Sequence, residues 1–296
     1  MLHRFFFLSA LVFAAAACAT TDGDDAASDP TTEMGEEELL KYTGKTSNWT
    51  YAGIMPTLES PRITVSLKGH TAHAQGYLPK SFSGKLPFHA KTESVNGRTL
   101  VHVVYPIATV DPNGRLPSGV RTRNPEPFSY DVCGGSNFAA SNATGAFGGF
   151  PFIEYVCRHT DSDGRVRSGI AFHGPITTSN GYWSLLRGPV SHACNRMLGE
   201  HVLEMSHVIG FDRGNRDIPV QVIADFDEMG GKKVDVDYPA TGWTRPSNAV
   251  VFPIWQAVGL RADGTTKLDM PKWACETSRC ASMPANARDP YTGAEL

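Results

Sequence analysis

The sequence predicts a mainly β protein, a sandwich or barrel with one or two short helices, and three observations carry that reading. Glycine and proline are dense, 29 and 20 of 296 residues, which is about one in six against a usual one in eight. Short β-branched or alternating runs recur between turn residues through the middle of the chain. Helical periodicity is convincing in one segment, Met197–Ile209, where Leu198, Val202, Met205 and Ile209 share a face. A hydrophobic content of 41% with 19% charged residues excludes global disorder and a polytopic membrane protein.

Taken in order, Ile63–Leu67 alternates apolar and polar residues, the period of a half-buried strand. Thr99–Ala108 is a rich β-branched run, and the Asn96-Gly97 pair before it suits a type I′ hairpin. Phe150–Val156 and Val166–His173 are two more strands joined by Asp161-Ser162-Asp163-Gly164. That turn lacks the third ligand pair and distal Glu of a calcium loop, so it reads as a hairpin. Ile218–Ile223 returns to strand after the helix, and Asn248–Val258 is apolar but interrupted by Pro253. No internal repeat is apparent.

The ends read differently. Residues 1–17 have a positive start at Arg4 and an apolar run, Phe5–Val12, too short for a permanent span. Small residues then lead into Cys18, the form of a signal peptide. Ala15-Ala16-Ala17-Cys18 resembles a bacterial lipobox, which makes Cys18 the expected lipid attachment point, at the periplasmic face of an outer membrane. An ordinary cleavage near Ala17 is the alternative. Residues 18–48 follow as an acidic disordered tether, with eight acids and no base in residues 22–38. The expected organisation is then a β-rich flank at 49–98, a central unit at 99–224 that carries the motif described below, and a C-terminal extension at 225–296 packed on the core.

The chemistry concentrates in Gly169–Met197. A nucleophilic cysteine needs a base for its proton, and the base needs a partner that fixes its tautomer. Cys194 and His173 lie on segments that a hairpin or crossover brings together, and His192 is two residues before the thiol. Backbone N–H groups at Ser191, Ala193 and Cys194 suit a developing oxyanion. The helix that follows points its positive end near the sulfur, which favours the thiolate.

This segment resembles the L,D-transpeptidase (YkuD-type) catalytic domain: His173, seventeen residues, then Ser191-His192-Ala193-Cys194-Asn195-Arg196. Leu186-Arg187-Gly188-Pro189-Val190 and Ile218-Pro219-Val220-Gln221-Val222 are also similar to it, and Thr144-Gly145-Ala146-Phe147 loosely so. The resemblance implies a YkuD-like β-sandwich or barrel. It implies that Cys194 attacks a peptidoglycan tetrapeptide stem, releasing D-Ala and leaving an acyl-thioester. An amine on a second stem or on a wall-attached protein then resolves it. His173 is the implied base and acid, the Gly174 carbonyl orients its ring, and His192 and Ser191 support the thiolate and its loop. Ala193 and Cys194 supply oxyanion donors, and Arg196 fixes the loop or meets a stem carboxylate. No metal, organic cofactor or nucleic acid is expected. Two residues depart from the pattern: Ala193 stands for Gly, and Asn195 for a hydrophobic residue. Water as acceptor would give a carboxypeptidase or amidase of the same fold, and a spoiled pocket a non-catalytic peptidoglycan-binding lipoprotein. The charge beyond the tether, about +4 from Leu39 onward, is mildly suited to an anionic polymer.

The remaining cysteines, Cys133, Cys157, Cys275 and Cys280, suit two disulfides in an oxidising compartment. Three pairings are open, of which Cys133–Cys157 with Cys275–Cys280 is topologically simplest. Half a zinc site at Cys275 and Cys280 lacks a companion pair. His201 and His207 are expected at the surface or a rim. Tyr182 and Trp183 suit a groove or a core equally.

Overall fold

A computed structural model describes residues 51, 53–109, 128–136, 150–160, 162, 164, 166–167, 169–174, 185–191, 194–240 and 244–254. In chain order the strands are β1 (Glu59–Ser66), β2 (Thr71–Tyr77), β3 (Lys91–Val95), β4 (Arg98–Pro106), β5 (Ala108–Thr109), β6 (Ser129–Asp131), β7 (Gly134–Ser136) and β8 (Phe152–Val156). There follow β9 (His159–Thr160), β10 (Val166–Arg167), β11 (Ile170–His173), β12 (Gly188–Pro189) and β13 (Asn195–Arg196). Helix α1 (Gly199–Val208) precedes β14 (Pro219–Ile223), β15 (Glu228–Met229), β16 (Lys232–Val236) and β17 (Val250–Phe252).

The fold is mainly β. A six-stranded main sheet has the order β3-β4-β2-β1-β14-β6, and a second, the site sheet, has the order β12-β5-β13-β11-β8-β7. Among the described residues neither sheet closes on itself, so what they form is an open-edged sandwich. The predicted hairpin joins β3 to β4: Val95 pairs with Arg98, and Asn96 and Gly97 both have positive φ, 50° and 75°. Two such residues define a type I′ turn, whose twist matches the strands it joins. The Asp161–Gly164 turn likewise sits in a hairpin, with Thr160 opposite Val166; Asp161 and Asp163 lie outside the described residues.

Alternation along β4 explains its two neighbours. Val101, Val103 and Tyr105 enter a core shared with Ile153, Tyr155 and Phe172 of the site sheet and with α1. Val104, on the opposite face, packs with Val234, Val236, Tyr238 and Phe252. Val234, Val236 and Phe252 belong to a third sheet, β15-β16-β17, and Tyr238 follows β16, so the described part of the 225–296 extension packs on the main sheet. Residues 54–98 supply β1 and β2, the centre of the main sheet, and a boundary at 98/99 falls inside the β3–β4 hairpin. The flank is therefore part of the scaffold.

Helix α1 has a different environment from the one its periodicity suggests. Nine of its ten residues are buried, Glu200, His201, Glu204 and Ser206 among them. His201 is 0% exposed, a correction to its expected rim position; the helix is covered on all sides, so polar residues on it need internal partners. Glu204 accepts hydrogen bonds from His89 Nε2 at 2.8 Å, Tyr51 Oη at 3.1 Å and Tyr105 Oη at 3.2 Å. Burial alone would raise the Glu204 carboxyl, but His89, His201 and the Tyr51 hydroxyl outweigh it and hold it low. Glu200 is pushed well up by burial and is held neutral. The helix stops where Gly210 takes φ 74°, a left-handed position that glycine fills without a Cβ clash.

Candidate active site

Two short parallel strands set His173 opposite Arg196, two residues after Cys194: β11 pairs with β13 in the register Phe172 to Asn195 and His173 to Arg196. Side chains alternate across a strand, so His173, Ala171 and Arg196 share one face of the site sheet, and Cys194 directly precedes β13. Phe172 and Asn195 take the other face, where Phe172 joins the core and Asn195 Nδ2 donates to Tyr155 Oη at 2.8 Å. That bond accounts for a polar residue at a position where the family pattern has a hydrophobic one. The buried amide finds a phenol at the right distance, and neither is left unsatisfied.

His173 is 0% exposed, and its Nδ1 lies 2.6 Å from the Gly174 carbonyl oxygen. A carbonyl only accepts, so Nδ1 carries the hydrogen and Nε2 keeps the lone pair. Burial, with the Arg196 charge acting in the same direction, lowers the His173 pKa to about 3 against the opposing Gly174 bond. The ring is therefore neutral at neutral pH, the form a base must have before it takes a proton. Phe152, opposite His173 in the β8–β11 register, stacks on the ring at 6.1 Å between centroids. Gly174 has to be small, because a Cβ there would meet Phe150 at 2.9 Å.

The turn that carries the cysteine is stitched by side chains. Ser191 Oγ donates to the Cys194 carbonyl at 2.5 Å, and the Ser191 N–H donates to the Thr109 carbonyl at 2.8 Å. Four residues upstream, buried Arg187 donates to the carbonyls of Gly69, His70 and Tyr238 and to Asp235 Oδ1, at 2.6 to 3.1 Å. The sequence motif contained Arg187 but gave no sign of its partners, which lie 48 to 118 positions away.

Cys194 is 2% exposed, and its Sγ lies 3.4 Å from the Gly169 carbonyl oxygen. It is disulfide-bonded. Cys133 and Cys157 bond each other with their Cα atoms 6.0 Å apart, so the partner of Cys194 is outside the described residues. The first pairing is the one expected from topology; closing that loop is worth about 3 kcal/mol. The second differs from the reading of Cys194 as a free thiol, because a bridge depends on spatial separation that chain spacing does not reveal. Cys18, His192, Ala193, Cys275, Cys280, Tyr182, Trp183 and Thr144–Phe147 lie outside the described residues.

Glu154 is a member of this face that motif reading missed. It stands opposite Ala171 and accepts from the Gly169 N–H, and the Gly169 carbonyl oxygen lies 3.4 Å from Cys194 Sγ. Burial raises its carboxyl above the ordinary range, opposed by the Gly169 N–H. Only the pairing register reveals it. Among the described residues no group of three His, Cys, Asp or Glu side chains is placed to hold a metal ion.

No protein-family profile matches the chain, and no curated protein matches it. Among solved structures it is similar to an L,D-transpeptidase (Yku) from Stackebrandtia nassauensis, at 12% identity and a TM-score of 0.29, over 66% of this chain and 67% of that one.

Proposed function

We propose that the chain is a cysteine-dependent acyltransferase of the L,D-transpeptidase type acting on peptidoglycan stem peptides. The observation that supports this most is a buried neutral His173, its tautomer fixed by the Gly174 carbonyl, opposite Arg196 on the strand that Cys194 directly precedes. In the reaction Cys194 is first freed as a thiol by a reductant. His173 Nε2 takes its proton as Sγ attacks the carbonyl after the third stem residue. The imidazolium returns the proton to the departing D-Ala amine, leaving a thioester. An acceptor amine then attacks the thioester while His173 takes its proton, and the thiol is regenerated. Ser191 holds the turn, and the roles proposed for Ala193 and Cys194 as oxyanion donors, and for His192 and Arg196 in supporting the thiolate and the loop, are those that the resemblance implies. Cys18 carries the lipid that keeps the domain at the outer membrane's periplasmic face, with the wall or a wall-attached protein as acceptor.

A second reading rests on one observation. The Cys194 disulfide suits a structural bridge in a non-catalytic peptidoglycan-binding protein. Intact mass after reduction and exposure to a carbapenem separates the two. One adduct, lost in Cys194→Ala, supports the acyltransferase; a folded, reduced chain with no adduct supports the bridge. Incubation with tetrapeptide muropeptides then distinguishes 3–3 dimers from the shortened stems of a hydrolase.

A further inference from the structure

The oxidised state of Cys194 has a consequence for the other cysteines. Six stand in the chain. Cys133 and Cys157 bond each other, and Cys194 is bonded as well, so its partner is one of Cys18, Cys275 and Cys280. With Cys18 committed to a lipid, as proposed above, its sulfur is closed to disulfides and five sulfurs remain. Five make two bridges and leave one thiol over. Cys133–Cys157 takes the first bridge, so the second bridge and the odd thiol are shared among Cys194, Cys275 and Cys280. Either Cys194 is joined to one of the pair and the other is the thiol, or Cys275 is joined to Cys280 and Cys194 is the thiol. The two arrangements have the same number of disulfides, and only in the second is Cys194 a nucleophile.

We propose that Cys275 and Cys280 are a disulfide switch for Cys194: the bridged form is the latent state of the nucleophile, and exchange within the pair releases it. This rests on the acyltransferase reading, and it supplies from within the chain the reductant which that reading requires. The step balances inside one molecule. The free thiolate of the pair attacks its neighbour's sulfur, the Cys275–Cys280 bond forms as the bond to Cys194 breaks, and Cys194 leaves as a thiolate. The proton that the attacking thiol sheds is the one Cys194 takes up, and no electrons enter or leave the chain.

Three features favour an attacker within the chain. Cys194 is 2% exposed, so a thiol from solution meets that sulfur poorly, whereas in the exchange the sulfur attacked is its partner's. Four residues separate Cys275 from Cys280, which holds the attacking thiol near its target at a high effective concentration. Closing that short loop also costs less chain entropy than closing the one from position 194 to 275 or 280. The released thiol has an acceptor for its hydrogen in the Gly169 carbonyl oxygen, 3.4 Å from Sγ. While the bond stands, Cys194 Sγ is half of an electrophile, with no proton to give His173 and no lone thiolate to attack a carbonyl.

The test is disulfide mapping of the mature chain purified without reductant. Free thiols are blocked with a maleimide at pH 6, either at once or after incubation at pH 8 with no thiol added, and the unreduced peptides are read by mass. At first Cys194 should be joined to Cys275 or Cys280, with the other carrying the label. After incubation the label should sit on Cys194 and a Cys275–Cys280 bridge should have replaced the first, at one label per chain throughout. The conversion should quicken about tenfold per pH unit below the ordinary thiol range, as the thiolate fraction does. In Cys275→Ser and Cys280→Ser the bridge to Cys194 should persist at pH 8. A Cys194–Cys18 bridge, a Cys194 bridge that never converts in the unaltered chain, or equal release in the serine variants overturns the switch. Carbapenem exposure after incubation keeps the two readings apart. Release of Cys194 without an adduct overturns the acyltransferase and leaves the exchange supported; an adduct that forms only after an added dithiol overturns the switch and supports the acyltransferase.

Discussion

In the main sheet β1, β2 and β4 are eight, seven and nine residues long, and long ladders join each to the next, the β1–β2 ladder shifting register once between Glu59 and Arg62. In the site sheet β5, β12 and β13 have two residues each. Two-residue strands bring few backbone bonds, so position there comes from side chains: Ser191 to Cys194, Asn195 to Tyr155, and Arg187 to three carbonyls and Asp235. The main sheet is held by repetition that tolerates change, and the site by single bonds with no substitute. Breaking one of those bonds should cost more at the site than trimming a residue in the ladder.

The largest effect is expected at Arg187. Arg187→Met leaves Asp235 buried with only Arg245 and strips three carbonyls of a donor. A buried charge left without any partner costs about 3–5 kcal/mol; Arg245 stays 2.8 Å from Asp235 Oδ2, so the expected cost is at the lower end of that range. Ile63→Val in β1 removes one buried methyl group and costs about 1 kcal/mol. Urea unfolding of the two variants tests the contrast directly; equal costs would mean that the ladder, not the stitching, sets stability around Cys194.

Acid should bear on the site before it reaches the scaffold. Burial and the Arg187 charge lower the His70 pKa to about 4, and His173 lies at about 3. Their unfolded value is near 6.5, so between these limits the unfolded chain binds more protons and stability falls as pH falls. The contribution is complete above pH 6.5 and, for His70, is lost by about pH 4, an amount on the order of 3 kcal/mol. His70 Nδ1 contacts Thr109 Oγ1 at 2.7 Å, and the Thr109 carbonyl holds Ser191, so the turn shares in the loss. Urea midpoints from pH 7.5 to 4 should decline over this window; a flat profile would show that these rings are not buried neutral.

A smaller change isolates one stitch. Asn195→Leu restores the hydrophobic character of the family pattern but leaves the buried Tyr155 hydroxyl without its donor, at a cost of about 1–3 kcal/mol. Adding Tyr155→Phe should recover most of that loss. Failure of the double variant to recover would mean that Asn195 acts through shape and not through its hydrogen bond.

The same contrast explains what could be read from the chain. The Asn96-Gly97 hairpin, the β-branched run that became β4, the existence of α1 and the Cys133–Cys157 bridge follow from local chemistry and short loops. The two-residue strands do not, since so short a run has no period. The burial of His201 and Glu204 was hidden because a helix covered on every side looks amphipathic when judged from its apolar residues alone. Arg187 with Asp235, and His73 with Asp227, meet across 48 and 154 positions, which only tertiary packing arranges. The His173 and Cys194 motif is read from residue types and their spacing, whereas the oxidised state of Cys194 is not.

The smallest expected change in stability is at Glu154, and it asks most about chemistry. Its carboxyl accepts from the Gly169 N–H, and the Gly169 carbonyl lies 3.4 Å from the Cys194 sulfur that the proposed function makes the nucleophile. Burial already favours the neutral form, so Glu154→Gln should alter stability by less than about 0.5 kcal/mol. An ionised Glu154 would draw an ammonium acceptor towards the thioester, and its raised pKa moves that ionisation above the ordinary carboxylate range. Amine transfer by the reduced chain should then lose efficiency as pH falls through that raised value, with hydrolysis growing in proportion. In Glu154→Gln the ratio of transfer to hydrolysis should be low and flat across the same range. A ratio that keeps its pH dependence in the variant would remove Glu154 from the reaction and leave it to His173, Cys194 and Arg196.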